Sequence, residues 1–566
     1  MSYRKPFLRA GLALVATGAV LASTAARAQA PNHVHYDAVQ PAADQPSPTG
    51  QLAPRLQNLG RHSFPVATRS EQGQAFISQG VNLAYGFNHA EAARAFREAT
   101  RLDPDCAMAY WGHALVLGPN INAPMKPEDE PKAYELVQKA IALKPKASER
   151  ERAYIDALAR RYSGKADDRA DRDRQYADAM RELSKRFPED LDAAALFAEA
   201  MMDLRPWNYW LPDGTPHPGT IEVVETLESV MRRSPDHPLA LHLYIHVMEP
   251  TKSPERAEVA ADRLLPLMPA AGHMVHMPSH IYLRIGRYAD AARANELAIV
   301  ADEDYITQCR AQGLYPFTYY PHNVHFLWAA ATMEGRSQVA IDAARKTARI
   351  PAPKLHEVPS LEGFVVVPYY ALVRFGKWDE MLKEPEPEHA GSFLVGIRHY
   401  ARGVALEATG KREDASHELA RLRALGEDPA VAKLQLSSGN SVRSVLAIAA
   451  EALAGQLASR RGQPDAAIAH FGRAVRLEDS LIYTEPSDWH YPMRQALGAA
   501  LRRAGRNDEA EAVYWEDLRR NPENGWSLHG LMLSLRAQGK TEMAAEIEKR
   551  FQKAWSRADV PPDWLG

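Results

Sequence analysis

Cysteine is scarce in this chain, and no charge of one sign dominates it. Only Cys106 and Cys309 occur among 566 residues, too few for a disulfide scaffold or a cysteine-rich zinc site. They could form one disulfide in an oxidising compartment, but their positions in distant segments favour two separate buried thiols. The net charge is −3 with both signs interspersed, which gives no indication of nucleic-acid or anionic-membrane binding.

Several enzyme motifs are missing as well. The sequence has no nucleophile motif, no glycine-rich phosphate loop and no dinucleotide-binding fingerprint. No stretch shows the sustained alternation of a half-buried strand. Because the chain is too long for one ordinary globular core, we expect several domains or a solenoid.

The N-terminus has the three parts of a secretory signal peptide. Residues 4–9 carry three basic side chains, residues 10–22 are apolar but too short to cross a membrane comfortably, and residues 26–28 read Ala-Arg-Ala. Cleavage there leaves Gln29 as the N-terminus and a periplasmic or secreted protein with no later membrane span. An uncleaved anchor is the alternative.

A helical period begins near residue 73, after a segment rich in Pro, Ala, Gln and Ser that we expect to be extended and poorly ordered. Gly80 and Ala92 allow the first two helices to approach closely, and Phe96 would fill the space between them. Glycines before a polar or basic residue predict left-handed turns between later helices. These are Gly286, Gly335, Gly376, Gly410, Gly462, Gly505 and Gly539.

A 34-residue period is clearest between residues 238 and 354. The units are 238–271, 272–305 and, after a 15-residue insertion, 321–354, with Ala257, Ala291 and Ala340 at the twentieth place. This pattern resembles the tetratricopeptide repeat (TPR) family, whose helix–turn–helix units stack into a solenoid. The resemblance implies an all-α, TPR-type helix-turn-helix solenoid of about twelve helical pairs.

We divide the chain on this basis into five parts. They are a signal peptide (1–28), an extended N-terminal segment (29–70), N-terminal TPR-like repeats (71–237), central His-rich TPR units (238–354) and C-terminal TPR-like repeats (355–566).

Histidines occupy one face of the three central units. The TPR resemblance implies that the second, fifth and ninth residues of a unit line a concave groove, and such steps stay on one helical face. Glu249, three residues past His246, extends that face. Seven of the nine places hold histidine: His242, His246, His273, His276, His280, His322 and His325.

Imidazole is the commonest protein ligand for transition metals, so this face predicts a divalent transition-metal site. Seven histidines and Glu249 exceed one tetrahedral site and allow two sites, or one site with an outer set of histidines. Glu249 could be a ligand, an outer partner or a base. Affinity should fall as the pH drops through about 6.5, because protonated imidazole cannot coordinate a metal.

Two other readings stay open. The histidines could recognise an acidic peptide or a small polar ligand without metal, or they could form a structural polar network. The function we expect is an exported TPR-type binding protein with a peptide, protein or small molecule in its groove. The alternatives are a metal-dependent hydrolase or oxidoreductase that uses the cluster, and a metal-free interaction scaffold.

Four features near the histidines depart from the repeat pattern. Pro278 should kink or restart its helix, since proline has no N–H and clashes with the preceding turn. Asn295 replaces the aromatic residue found in other units, and it should satisfy the broken backbone or orient His280. The aromatic-rich loops 205–220 and 306–320 could cover the groove or pack on its rim.

The first prediction concerns the N-terminus. Protein exported by a bacterial host should begin at Gln29, because the three-part signal ends at Ala28. Intact-mass measurement checks this, and retention of residues 1–28 would contradict it.

Overall fold

The computed structural model describes residues 46–47, 50–309, 315–387 and 390–562. These residues contain α-helices and short 3-10 turns, with three isolated bridges and no β-strand. The predicted all-α class is therefore confirmed. The predicted signal peptide and residues 29–45 of the segment that follows it lie outside the described residues.

Residues 50–70 have no helix, but they are not the poorly ordered lead that the composition predicts. Phe64 is fully buried, and its ring stacks on Trp111 with centroids 5.6 Å apart. Gln79 donates to the Pro54 carbonyl at 2.8 Å. The prediction of poor order is wrong here, because a few apolar side chains and backbone hydrogen bonds fix this segment against the first helices.

The N-terminal repeats contain eight of the described helices, and neighbouring helices pack against one another along the chain. Their bounds are α1 (Glu71–Tyr85), α2 (His89–Leu102), α3 (Ala107–Leu115), α4 (Glu130–Ala142), α5 (Glu149–Leu158), α6 (Arg169–Arg186), α7 (Leu191–Asp203) and α8 (Thr220–Arg233).

The helices of the central units pack in pairs along the chain. The first unit is α9 and α10, the second is α11 and α12 against α13, and the third is α14 against α15. Helix α13 continues four residues into the predicted insertion. The bounds are α9 (Pro238–Met248), α10 (Glu258–Leu264), α11 (Gly272–His276), α12 (Pro278–Arg284), α13 (Tyr288–Cys309), α14 (Tyr319–Met333) and α15 (Ser337–Arg349).

The C-terminal repeats continue the stack. Their helices are α16 (Glu362–Val365), α17 (Val367–Arg374), α18 (Trp378–Lys383), α19 (Ser392–Ala408), α20 (Arg412–Glu427), α21 (Val442–Arg460), α22 (Pro464–Glu478), α23 (Met493–Arg503), α24 (Asn507–Arg520), α25 (Gly525–Ala537) and α26 (Thr541–Ala554). Among the described helices, α21 is long and apolar enough to cross a membrane. It packs against α19, α20 and α22, and 72% of its apolar window is buried, as in a core helix.

The predicted glycine turns are confirmed. All seven glycines have φ between +65° and +82°, the left-handed region that a side chain disfavours. The TPR-type solenoid is thus built from the turn chemistry that the sequence displays.

The stack curves until distant units touch. Helix α1 contacts α9, and Tyr305 Oη donates to Asn88 Oδ1 at 3.3 Å. On the other side, Trp526 Nε1 donates to the Thr332 carbonyl at 2.9 Å. Tyr288 Oη donates to the Pro522 carbonyl at 2.9 Å. Both terminal arrays therefore fold back onto the central units.

The buried apolar residues form three clusters. Leu327 packs against both the first and the second cluster, and Leu497 against both the second and the third. Each unit of a solenoid contacts mainly its neighbours, so apolar contact is passed along the stack rather than gathered at one centre. Cys106 and Cys309 are buried, and both are free thiols as expected.

Phe96 fills the space between the first helices, as predicted. Its side chain is fully buried, and a Cβ on Gly80 or Gly112 would lie 2.8 Å or 2.2 Å from the Phe96 ring. Because Gly80 and Gly112 have no Cβ, the Phe96 ring fits against both.

Phe96→Ala should therefore destabilise the first units by about 3–5 kcal/mol, because it removes a buried ring and leaves a cavity. Hydrogen exchange of α1–α3 measures the effect locally, since units of an array can open separately. Val259→Ala is the control at a position 66% exposed, with an expected change within about 0.5 kcal/mol. Equal protection of α1–α3 in both variants would contradict the assignment.

Candidate metal centre

The structure brings six of the seven predicted histidines together in two groups of three. Triad A is His242, His246 and His273, and triad B is His276, His280 and His322. In each triad, one ring nitrogen from every residue lies within 4.8 Å of the other two.

His325 belongs to neither triad. Its ring stacks on Trp328 with centroids 5.1 Å apart and 13° between planes, and it meets the edge of Phe364 at 5.8 Å. The sequence placed it on the histidine face by helical spacing alone. Its aromatic neighbours hold the ring elsewhere, so its assignment to the cluster is wrong.

Four helices position the six rings. Helix α9 carries His242 and His246 four residues apart, so both side chains point the same way. Helix α11 supplies one ring to each triad, His273 to triad A and His276 to triad B. His280 comes from α12 and His322 from α14.

Pro278 restarts the helix between the two triads, as predicted. Helix α11 ends at His276 and α12 begins at Pro278, because proline cannot donate within a continuous helix. His276 and His280 still reach one triad across this break.

Helix α11 rests on a buried carboxyl group. A Cβ at Gly272 would lie 1.9 Å from Asp302 Oδ1, so only glycine fits at the start of α11. Asp302 accepts from Tyr315 Oη at 2.8 Å and from Asn323 Nδ2 at 2.7 Å. Burial raises the pKa of Asp302 to about 7, although these two hydrogen bonds oppose the shift.

The inner nitrogens of each triad face one another. His242 Nε2 lies 3.1 Å from His246 Nε2 and 3.2 Å from His273 Nε2. In triad B, His276 Nε2 lies 3.0 Å from His280 Nε2. Two nitrogens bound to one tetrahedral Zn²⁺ at roughly 2.0–2.1 Å would be about 3.3 Å apart. The observed spacings are close to that value.

The outer nitrogens meet hydrogen-bond acceptors. His242 Nδ1 donates to the Tyr85 carbonyl at 2.7 Å, and His246 Nδ1 donates to Glu249 Oε1 at 3.1 Å. His280 Nδ1 donates to Glu485 Oε2 at 3.0 Å and also pairs with Glu249 Oε2.

Asn295 acts on His276 rather than on His280, the ring we expected it to orient. Its Oδ1 accepts from His276 Nδ1 at 2.7 Å. Its Nδ2 donates to the Ala291 carbonyl at 2.8 Å, which fixes the amide with its oxygen toward the ring.

These contacts determine where the ring protons lie. A carbonyl or carboxylate oxygen only accepts, so the proton of each neutral ring is on Nδ1 and the lone pair is on Nε2. Burial also lowers the pKa of His242 to about 3, which keeps that ring neutral. The lone pairs of His242 Nε2 and His246 Nε2 thus face each other at 3.1 Å. A cation shared by these rings would relieve that repulsion.

Glu249 links the two triads. It is fully buried, and its two oxygens contact Nδ1 of His246 in triad A and Nδ1 of His280 in triad B. Burial lowers the pKa of His280, but Glu249 and Glu485 outweigh it and raise the value to about 9. The two carboxylates therefore stabilise positive charge at this ring, whether a proton or a metal ion supplies it.

Two phenylalanines cap the triads, and the sequence reading did not find them. The Phe87 ring centroid lies 4.4 Å from that of His242 and 5.7 Å from that of His273. Phe326 caps triad B in the same way, and its ring centroid lies 4.5 Å from that of His276 and 4.8 Å from that of His322. Phe87 has φ +56°, an uncommon value for a bulky residue that fits a functional constraint.

Both aromatic loops reach the histidines. Trp207 meets His246 edge-on at 4.9 Å, and Tyr319, at the end of the second loop, meets His273 at 5.1 Å. Two roles were left open for these loops, covering the groove or packing on its rim. Both loops cover the histidine face.

The histidine face is consequently not an open groove. His242, His246, His273, His276 and His280 are at most 3% exposed, although TPR geometry predicted a face open to a partner. The reason is the fold-back of both terminal arrays, which brings Phe87 and Glu485 onto the rings. Binding of a partner in the groove stays a prediction, because the described residues leave no open surface for a peptide at this face.

A third group of candidate ligands differs in the tautomer of one of its rings. His62, Asp192 and His237 lie within reach of one another. His237 Nδ1 accepts from the Ala240 N–H at 3.3 Å, so its proton is on Nε2, which faces Asp192 Oδ1 at 3.3 Å. The lone pair points away from the group, and we assign it a structural role.

Comparisons with known proteins add little to this geometry. No protein-family model matches the chain, and no curated protein matches it.

Solved structures similar to the chain include the human IFIT1 dimer with m7Gppp-AAAA, at 13% identity and TM-score 0.32, covering 79% of this chain and 90% of that chain. The P58(IPK) TPR domain matches at 13% identity and TM-score 0.21, covering 83% and 99%. Yeast Tom70 matches at 11% identity and TM-score 0.28, covering 86% and 93%. Likenesses this low carry no functional argument, and the TPR-type architecture rests on the helix pairs and turns described above.

Asp302 gives a pH prediction for the support of α11. An unfolded aspartate has a pKa of about 3.9, whereas the folded value is about 7. Between these values the folded state keeps a proton that the unfolded state loses, so stability falls as the pH rises from about 4 to about 7. Asp302→Asn should remove that loss, which is on the order of 3 kcal/mol.

The thermal unfolding midpoint at pH 5 and pH 8 tests this. The variant should lose less stability than the wild type between the two pH values. Asp304→Asn makes the same charge change at an exposed position on the same helix and is the control. An equal pH response in wild type and Asp302→Asn would contradict the prediction.

Proposed function

We propose that this chain is an exported TPR-type protein whose central units hold two adjacent sites for divalent transition-metal ions. The ligands are the Nε2 atoms of His242, His246 and His273 in one site and inner ring nitrogens of His276, His280 and His322 in the other. Export is inferred from the signal peptide in residues 1–28.

One observation carries the proposal. Four rings donate Nδ1–H outward to Tyr85, Glu249, Asn295 and Glu485 and turn Nε2 inward. Metal-bound histidines typically have such outer partners, which fix the ring and its tautomer. In triad A this places the lone pairs of His242 Nε2 and His246 Nε2 3.1 Å apart, whereas a structural polar network would pair a ring donor with a ring acceptor.

The donor set indicates the class of metal. Imidazole nitrogens suit Zn²⁺, Cu²⁺, Fe²⁺ and Ni²⁺, and affinity for nitrogen sites is highest for Cu²⁺ in the divalent series. Hard cations such as Mg²⁺ and Ca²⁺ prefer oxygen ligands. Glu249 and Glu485 lie beside the rings and would offset part of the buried positive charge.

Each triad leaves coordination positions for other ligands. A structural zinc site usually has four protein ligands, whereas three protein ligands with an open position are typical of catalytic sites. When bound, such an ion supplies Lewis acidity or redox chemistry. Burial of five rings disfavours recognition of a peptide without metal at this face.

Elemental analysis of tag-free protein tests the proposal. We expect about two equivalents of transition metal per chain after loading with Cu²⁺ or Zn²⁺ and desalting. His242→Gln and His322→Gln should each lose about one equivalent, because each removes a ligand from a different triad. His246→Ala with His280→Ala should lose both.

His325→Gln is the matched control, since it lies one turn from His322 on α14 but outside both triads. It should keep about two equivalents. Wild-type protein that takes up no tightly bound metal, or triad variants that bind as much as His325→Gln, would overturn the proposal. Circular dichroism verifies that each variant remains helical.

Asn295→Leu distinguishes the two sites by removing only an outer hydrogen-bond acceptor of one of them. It removes the acceptor of His276 Nδ1 without touching an inner nitrogen, so affinity at triad B should fall about 10–100-fold. Triad A should keep its affinity. Competition with a chromophoric chelator measures both sites, and equal weakening of the two would contradict this assignment.

A further inference from the structure

The two triads differ in their access to solvent. All three rings of triad A are at most 3% exposed, and Phe87 and Trp207 cover them. In triad B, His276 and His280 are equally buried, but His322 is partly exposed. Any molecule from solvent therefore meets triad B first.

His322 opens onto a cleft of about 100 Å³. The 3-10 turn Pro359–Leu361 and α16 form one wall, and loops between α20 and α21 and between α22 and α23 form the other. Glu485, which accepts from His280 Nδ1, lies where the cleft meets triad B. The cleft is thus continuous with the residues that hold the ring.

The lining of the cleft has one apolar and one polar side. Val358, Leu361 and Phe364 supply apolar surface, while Ser438 and Thr484 supply hydroxyl groups. Flat or compact apolar groups suit the first side. Molecules that combine an apolar body with one polar donor atom match both.

The charges of the lining select against anions. Glu485 and Asp488 are the acidic residues of its lining, and no Lys or Arg is among the described residues that line it. Asp488 Oδ2 is held by Ser438 Oγ at 2.6 Å and Asn440 Nδ2 at 2.8 Å, so it stays in place at the edge of the cleft. An anion would have to pass two carboxylates in this cleft before it reached the metal at triad B.

We propose that triad B is the ligand-exchange site of the pair. Through this cleft, the metal at triad B would take a small neutral molecule with an apolar body and one nitrogen or oxygen donor atom. Triad A stays closed to outside ligands. An engineered apolar cavity of about 150 Å³ admits benzene, so a cleft of this size accepts part of a single ring, with the rest in its mouth. The inference rests on the proposed metal sites.

Cobalt-loaded, tag-free protein with pyridine as the probe provides the test. Visible Co²⁺ bands respond when a ligand joins the metal, so they report binding at the metal itself. Pyridine should shift part of the cobalt spectrum, and the shift should saturate as the pyridine concentration rises. His322→Gln should abolish the shift, and His242→Gln should retain it, because only triad B exchanges ligands.

Gly363 allows the cleft to be blocked without touching a triad residue. It lines the cleft, and a Cβ there meets no atom within 4 Å. Gly363→Trp should weaken pyridine binding at least about tenfold and leave the cobalt content unchanged. Ser360→Trp, an exposed position on the same wall, is a second blocking variant should the first lose its fold.

Gly426→Trp is the matched control, a partly exposed helical glycine with equally open surroundings far along the chain. It should bind pyridine as the wild type does. If the protein takes up no cobalt, the proposed metal sites themselves are contradicted. Cobalt uptake with a pyridine response that persists in His322→Gln or in both blocking variants would overturn this inference alone. Azide binding as tight as pyridine binding would overturn the selection for neutral ligands.

Discussion

The hydrogen bond from an outward imidazole N–H to a buried acceptor is the interaction on which this site depends. A polar ring in the interior costs free energy unless each nitrogen is satisfied. His242, His276 and His280 meet this requirement through a carbonyl, an amide and a carboxylate. Once the outer nitrogen is bound, the ring cannot rotate, and its other nitrogen has one direction left. Two sets of inner nitrogens converge for this reason.

Two of the four acceptors come from parts of the chain that a straight solenoid would keep apart. Tyr85 ends α1, and Glu485 lies in the loop before α23. Curvature of both terminal arrays brings these residues to α9 and α12, where they also exclude water. The repeat architecture thus has two roles. Its central units carry the rings together with Glu249, Asn295 and Phe326, and its terminal arrays add Tyr85, Phe87 and Glu485. Burial and low local dielectric then make each of these polar contacts stronger.

The sequence predicts the repeats well because their signals are local. A 34-residue period, an alanine at a fixed place and glycine at each turn all act within one unit. Six of seven histidines were found by helical spacing for the same reason. Phe87 and Glu485 were missed because their roles arise only from superhelical curvature. Phe326, one turn past His322 on α14, has no sequence signal that separates it from an ordinary core residue. His325 was misassigned because spacing gives a helical face, whereas stacking on Trp328 decides where that ring lies. The buried state of the site also depends on the curvature, so the sequence predicted an open groove.

The bond between His280 and Glu485 spans 205 positions of the chain, and that between His242 and Tyr85 spans 157. A repeat array ordinarily tolerates the gain or loss of whole units, because each touches only its neighbours. Here every added or deleted unit would change the angle through which an arm turns before it returns to the centre. Tyr85, Phe87 and Glu485 would then miss their rings. This array has a fixed number of units on each side of its centre, and in that respect it behaves as a closed globular domain rather than an extensible rod.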